Sequence, residues 1–240
     1  MAEKKERIWE LDALRGLCIL GMLIVHLVYD LVDLYGLVSW EYPPAFTFVQ
    51  TWGGVLFLLI SGISVTLGRH HLKRGLIVLG CGFVCTAVTA GMYFLGFAGK
   101  GMIIYFGVLH CLGICMLLWQ PVRKLPVWAL AALGALAVAV GFWVVDPVVV
   151  DVVWLIPLGL KFPGFQSSDY FPLLPYFGFF LLGAVLGKTL YRKKQSLIPG
   201  VRESAPVIAF LRFCGKHSLW IYLLHQPVLS GVLYLVSFAV

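Results

Sequence analysis

LDALRGLCILGMLIVHLVYDLVDLYGL, residues 11–37, decides the class of this protein. The run is long enough to cross a bilayer, which takes roughly 20 apolar residues. It nevertheless carries Arg15, His26, Asp30 and Asp33. A charged side chain at the centre of a spanning helix costs at least about 2.5 kcal/mol, so such residues face a bundle interior or a wet cavity.

The rest of the chain supports the same solvent. Of 240 residues, 61% are hydrophobic and 12% charged, and the mean hydropathy is +0.95. That is far more apolar than a soluble domain and predicts an all-α polytopic membrane protein. Apolar runs fall at about 11–37, 45–68, 75–97, 102–119, 126–145, 173–190 and 217–239. They predict about seven transmembrane helices in a single domain spanning residues 1–240, with no room for a sizeable soluble part. The stretch PVIAFLRFC, residues 206–214, is apolar but too short to cross, and is expected at the membrane surface as an amphipathic lead-in.

Charge sets the expected topology. KKER at 4–7, RHHLKR at 69–74, VRK at 122–124, YRKK at 191–194 and Arg202, Arg212 and Lys216 alternate with connections whose only bases are Lys100 and Lys161. By the positive-inside rule the N-terminus lies in the cytoplasm and, after seven crossings, the C-terminus outside. The basic start resembles a signal peptide, but the apolar stretch behind it is too long and lacks a small-residue cleavage site, so it is read as retained. The formal charge of +7 is thus a topology signal; no basic domain with interleaved aromatics points to nucleic acid. The six cysteines lie in or beside apolar runs without a CxxC, which reads as packing, with no metal centre expected.

Three histidines fall inside the runs. His26 is about 15 residues into the first, or roughly 22 Å at 1.5 Å per residue, at or beyond mid-membrane. Asp30 follows one turn later on the same face. Arg15, three turns before His26, returns to nearly the same azimuth with Asp12 beside it, while Tyr29 and Asp33 lie at the outer end. His110 sits about seven residues into the fourth run, at a depth within reach of His26. The last run contributes Ser218, Tyr222 and His225 at helical spacing, with Gln226 and a mid-span Pro227. One such histidine alone fits a hydrogen bond between helices. Three at similar depths, one with a carboxylate a turn away, point to a polar functional cavity. His70 and His71 are expected to be exposed in their loop, and Gly183 and Gly187 to form a packing GxxxG.

An imidazole with a carboxylate partner takes a proton from a hydroxyl or amine at ordinary pH, which suits His26 to the role of general base with Asp30 and His110 in support. Arg15, Arg69, Lys73 and Arg74 are suited to phosphates. A phosphorylated donor inside, an acceptor outside and a base between them describe group transfer across a membrane.

Five blocks, LDALRGLCILGMLIVHLVYD (11–30), LFLLISGISVTL (56–67), IYFGVLHCLG (104–113), DYFPLLPYFGFFLLGAVLG (169–187) and GKHSLWIYLLHQPVL (215–229), resemble the small bacterial and archaeal proteins related to the catalytic domain of heparan-alpha-glucosaminide N-acetyltransferase. The resemblance covers nearly the whole chain. It implies a multi-pass acetyltransferase of the prokaryotic plasma membrane that takes acetyl-CoA from the cytoplasm and delivers the acetyl group to an extracytoplasmic sugar amine or hydroxyl. In the lysosomal enzyme that names the family, the proposed catalytic histidine follows the first helix in a luminal loop; here that loop, GLVSWEYPPAF, has no histidine, and His26 is similar to the intramembrane histidine of the microbial relatives. Tyr222 and His225 are assigned with the basic residues to the coenzyme, and Tyr29, Asp33 and Asp169 to the acceptor. Membrane lipid and a second copy of the chain complete the expected partners. Whether His26 acts as base or as acyl carrier, and whether transfer is to N or to O, stays open.

The outer segment 146–175 is long and has five prolines, which suits it to substrate recognition; Asp169 there either orients an acceptor or caps a helix. Trp40 and Trp154 are expected as interfacial anchors. A proton-coupled transporter with His26 and Asp30 as relay is the alternative function; a scaffold leaves the buried polar stripe unexplained.

Overall fold

The computed structural model describes residues 7–201 and 203–237; Lys4, Lys5 and Arg202 of the charge pattern lie outside them. The described residues form eight α-helices and no strand: α1 (Trp9–Tyr29), α2 (Pro44–Leu67), α3 (His71–Phe94), α4 (Val108–Val122), α5 (Val127–Val140), α6 (Leu173–Thr189), α7 (Pro206–Lys216) and α8 (Ser218–Ser237). Each apolar run of the sequence therefore holds a helix. Five segments are long and apolar enough to cross a membrane, while α4 and α6 have 15 and 17 residues. At 1.5 Å per residue α4 spans about 22 Å, short of a hydrocarbon core of about 30 Å. Large apolar side chains of the span-length helices, such as Leu76, Phe94 and Trp143, are exposed, as lipid-facing residues must be.

The chain forms two compact units, Met1–Phe57 with Lys194–Val240 and Leu58–Lys193. In the first, α7 packs along the opening turns of α1. Gly16 and Gly215 permit this approach, because a Cβ on Gly16 would fall on the carbonyl oxygen of Leu211 and one on Gly215 on that of Asp12. Close backbone approach through small residues is how helices associate where lipid removes the hydrophobic drive. The face of α7 away from α1 exposes Val207, Phe210 and Phe213, so the expected amphipathic lead-in is docked on a spanning helix. α1 begins with Glu10 and Asp12 in its first turn, where carboxylates complement the helix dipole. Glu10 reaches further and accepts a hydrogen bond from the backbone of Leu197 at 2.8 Å.

The first apolar run is not α-helical to its end. From Asp30 to Leu34 it opens into a π-turn, with Tyr35 N–H bonding back to Asp30 O at 2.9 Å, and Gly36 at φ +60 ends it. Such one-turn widenings concentrate at functional sites.

In the second unit, small residues again set the contacts. Gly113 meets the Leu79 backbone across α3 and α4, Gly178 meets Gly134 across α5 and α6, and Gly183 and Gly187 lie on the carbonyls of Leu59 and Ile63. The fourth run departs from expectation at its start: Lys100–Met102 form a 3₁₀ turn and residues 103–107 are not helical. Ser167 Oγ donates to Ile103 O at 2.9 Å and Phe171 N–H to Phe106 O at 2.9 Å, so this stretch lies extended along the end of the outer segment. A short apolar run does not declare by composition whether it is helical or extended. His71, expected to be exposed, is buried as the first residue of α3, its ring close to Gly68, which has no side chain to exclude it. His70 is exposed.

Candidate active site

Within the first unit the polar stripe of α1 meets α8. Asp30 is fully buried, and Gln226 Nε2 donates to both of its carboxyl oxygens at 2.9 Å. One turn earlier, the rings of His26 and His225 meet edge to face with centroids 4.8 Å apart. Tyr35 Oη donates to Ser230 O at 3.0 Å, closing the same seam. The sequence spacing paired His26 with Asp30; the structure instead gives the carboxyl of Asp30 to an amide on α8 and sets an imidazole of α8 beside His26. The amide was visible in the sequence, but its partner across the chain was not.

Hydrogen bonding fixes the tautomer of His225. Its Nδ1 lies 2.5 Å from Tyr222 O, and a carbonyl only accepts, so Nδ1 carries the hydrogen. In the neutral ring Nε2 then holds a lone pair, and that atom is buried with no hydrogen-bond partner among the described residues, as is Gln226 Oε1. Pro227 lies inside α8 next to this pair.

Arg15 is not a lone cation. Its Nη1 donates to Asp12 Oδ1 at 3.1 Å, and Arg7 donates to both oxygens of the same buried carboxylate at 2.8 and 2.9 Å. Two guanidiniums on one carboxylate leave the trio with one net positive charge, held in place at the start of α1. Arg69, Lys73 and Arg74, the other expected phosphate ligands, lie exposed at the α2–α3 connection of the second unit.

His110 belongs to the second unit and is engaged there. Gly107 N–H donates to its Nδ1 at 3.2 Å, which leaves the ring hydrogen on Nε2, 3.3 Å from Thr86 Oγ1. The Thr86 hydroxyl passes its own hydrogen to Ile104 O at 2.7 Å. Phe83 and Phe106 flank the ring. Both nitrogens thus hold the 104–107 stretch against α3, and Thr86 is a partner that no local spacing announced. Asp169 Oδ2 accepts from Val108 N at 3.0 Å and so caps α4 from 61 residues away.

Of the remaining expected site residues, Tyr29 and Asp33 are exposed and Tyr222 is half-buried. Tyr42, which the sequence did not single out, donates its hydroxyl to Asp33, and that bond pushes its pKa up to about 12. The outer segment 146–172 is tied by the Lys161–Asp146 ion pair at 2.7 Å and by Tyr170 Oη donating to Ile156 O at 2.9 Å. Beside them is a cavity of about 100 Å³ lined by Asp146, Lys161, Tyr170 and Tyr176. It is a notch compared with the roughly 300–1,000 Å³ pockets that enclose drug-sized ligands.

Residues 7–227 match the family model described as heparan-alpha-glucosaminide N-acetyltransferase, catalytic. No curated protein and no solved structure matches the chain.

Proposed function

Because the chain belongs to the heparan-alpha-glucosaminide N-acetyltransferase catalytic family, a family of membrane acetyltransferases, we propose that it carries the acetyl group of cytoplasmic acetyl-CoA to an amine or hydroxyl of a sugar, or of another small acceptor, beyond the membrane. The observation that supports this most is the polar cluster between two apolar helices, with Asp30 and His225 buried and His26 and Gln226 half-buried beside them. A polar group in such a place is costly unless it has work to do.

In this reading His26 is the reacting imidazole. As base, it accepts the proton of the acceptor N–H or O–H as that atom attacks the thioester carbonyl; the C–S bond breaks, and the imidazolium returns the proton to the departing thiolate. As carrier, its ring nitrogen forms the bond to the acetyl carbon as the C–S bond breaks, leaving an acetyl-imidazolium and the coenzyme thiolate; the acceptor then attacks the acetyl carbon, the ring departs neutral, and the acceptor's proton passes to the thiolate. In the first unit the Arg7–Asp12–Arg15 trio supplies positive charge suited to coenzyme phosphates; in the second unit the exposed Arg69, Lys73 and Arg74 are basic side chains of the same kind. His110 and Asp169 act as positioning residues through the 103–108 stretch. The one family model spans residues of both units, and the N-terminus is read as cytoplasmic by the positive-inside rule.

The test is acetyl-CoA binding to the purified chain in nanodiscs, wild type beside Arg15→Ala and His26→Ala. We expect Arg15→Ala to weaken binding by about tenfold, the loss of one charge-assisted contact. His26→Ala should still bind and abolish transfer. A folded wild type that fails to bind acetyl-CoA, and that instead moves protons across the bilayer in a His26-dependent way, would replace this reading with a proton relay.

A further inference from the structure

Two buried atoms of α8 share one chemical property. His225 Nε2 carries a lone pair, because Tyr222 O holds the ring hydrogen on Nδ1, and Gln226 Oε1 is an amide oxygen that can only accept, its nitrogen being turned to Asp30. Neither has a donor among the described residues, and the histidine side chain that carries the first is about nine-tenths buried. Buried acceptors are ordinarily satisfied, and an exception calls for a partner. Among the described residues no neighbour is hydrogen-bonded to either atom. Asp30 presents carboxyl oxygens already facing the amide, and the polar neighbour of His225 on α1 is the edge-to-face ring of His26.

Resting on the acetyltransferase reading, we propose that His225 and Gln226 form the subsite that receives the N–H or O–H group of the acetyl acceptor. The sequence had assigned His225 to the coenzyme. Phosphate oxygens and a thioester carbonyl are themselves acceptors, so they would meet these lone pairs with repulsion. An amine or hydroxyl brings the hydrogens both atoms lack, and binding it to His225 sets its heteroatom beside the ring of His26. Selection then follows from hydrogen-bond polarity: a site built from acceptors rejects an analogue without N–H or O–H strongly, because its buried atoms stay unpaired.

The probes are glucosamine, ethanolamine and acetyl-CoA, each titrated separately into the full chain in nanodiscs by calorimetry. For wild type we expect millimolar or tighter binding of at least one amine. His225→Phe and Gln226→Met should each weaken amine binding by about tenfold while leaving the acetyl-CoA Kd within about twofold. Where a variant fails to unfold cooperatively on heating, the wild type decides: the imidazole Nε2 nitrogen resonance of His225 should move with the amine and not with acetyl-CoA. Weakened acetyl-CoA binding with unchanged amine binding would return His225 to the coenzyme. Unchanged binding of both, or no uptake of either amine, would mean that water alone satisfies these atoms and would overturn the subsite. Loss of acetyl-CoA binding in wild type with the amine still bound would instead remove the transfer reading and leave the subsite standing.

Discussion

The join between Asp30 and Gln226 is the sharpest energetic claim the structure makes. One amide nitrogen gives two hydrogen bonds of 2.9 Å to a carboxyl group that has no exposed surface. Interhelical hydrogen bonds in membrane proteins average about 0.6 kcal/mol, with a maximum near 1.7, because the unfolded chain in lipid finds other partners. Here the carboxyl has no ion-pair partner among the described residues, so two bonds to a single buried group should couple at about 1.5 kcal/mol. The perturbation is a double-mutant cycle of Asp30→Leu and Gln226→Met, chosen so that both variants keep apolar volume in the seam. Each single variant strands a buried polar partner and should lose about 1–3 kcal/mol. The double variant should lose less than the sum by the coupling energy. Reversible unfolding in mixed detergent micelles reads all four corners, and it can be run without any knowledge of the substrate. A coupling of about 0.3 kcal/mol or less would mean that the two side chains do not depend on each other, and the polar seam between α1 and α8 would be wrong.

Two further outcomes follow from the close contacts. Gly16→Ala and Gly215→Ala should each destabilise by about 1–3 kcal/mol or more, since backbone must give way. Gly21→Ala, with open space around the added carbon, should be neutral or stabilise by up to about 1 kcal/mol in the same unfolding assay; equal effects at all three positions would refute the packing of α7 on α1. Asp169→Ala should lower stability by about 1 kcal/mol through loss of the cap on α4, with Asp169→Asn milder. Gly107→Ala should act on the same contact, because its Cβ would fall on the Asp169 carboxyl, and combining it with Asp169→Ala should relieve part of its cost.

Much of this was legible in the chain itself. Every apolar run holds a helix, since length and composition decide a span with little help from context. The GxxxG of α6 lies where packing demands it, and the polar face of α1 is buried at Asp30. Less was legible wherever the outcome hung on a distant partner. Residues 103–107 are as apolar as their neighbours, but Ser167 and Phe171 hold them extended, and only the fold brings those residues together. His110 carries the same side chain as His26 and His225, yet Gly107 and Thr86 consume both of its nitrogens. Spacing along α1 paired His26 with Asp30, but periodicity within one helix is silent about the α8 side chains that each of them meets.

The π-turn at Asp30–Leu34 divides the labour of two acids three residues apart. In an uninterrupted α-helix Asp30 and Asp33 would lie on one face, and both carboxyls would have to be housed in the bundle or both left to the aqueous edge. A turn with an extra residue swings the later one away. Asp30 is thereby committed to the interior amide, while Asp33 is exposed and meets the hydroxyl of Tyr42. A single inserted residue has made a hinge point in chemical character: inward of it the helix keeps its charge hidden for a partner helix, and outward of it the chain already behaves as a wet surface.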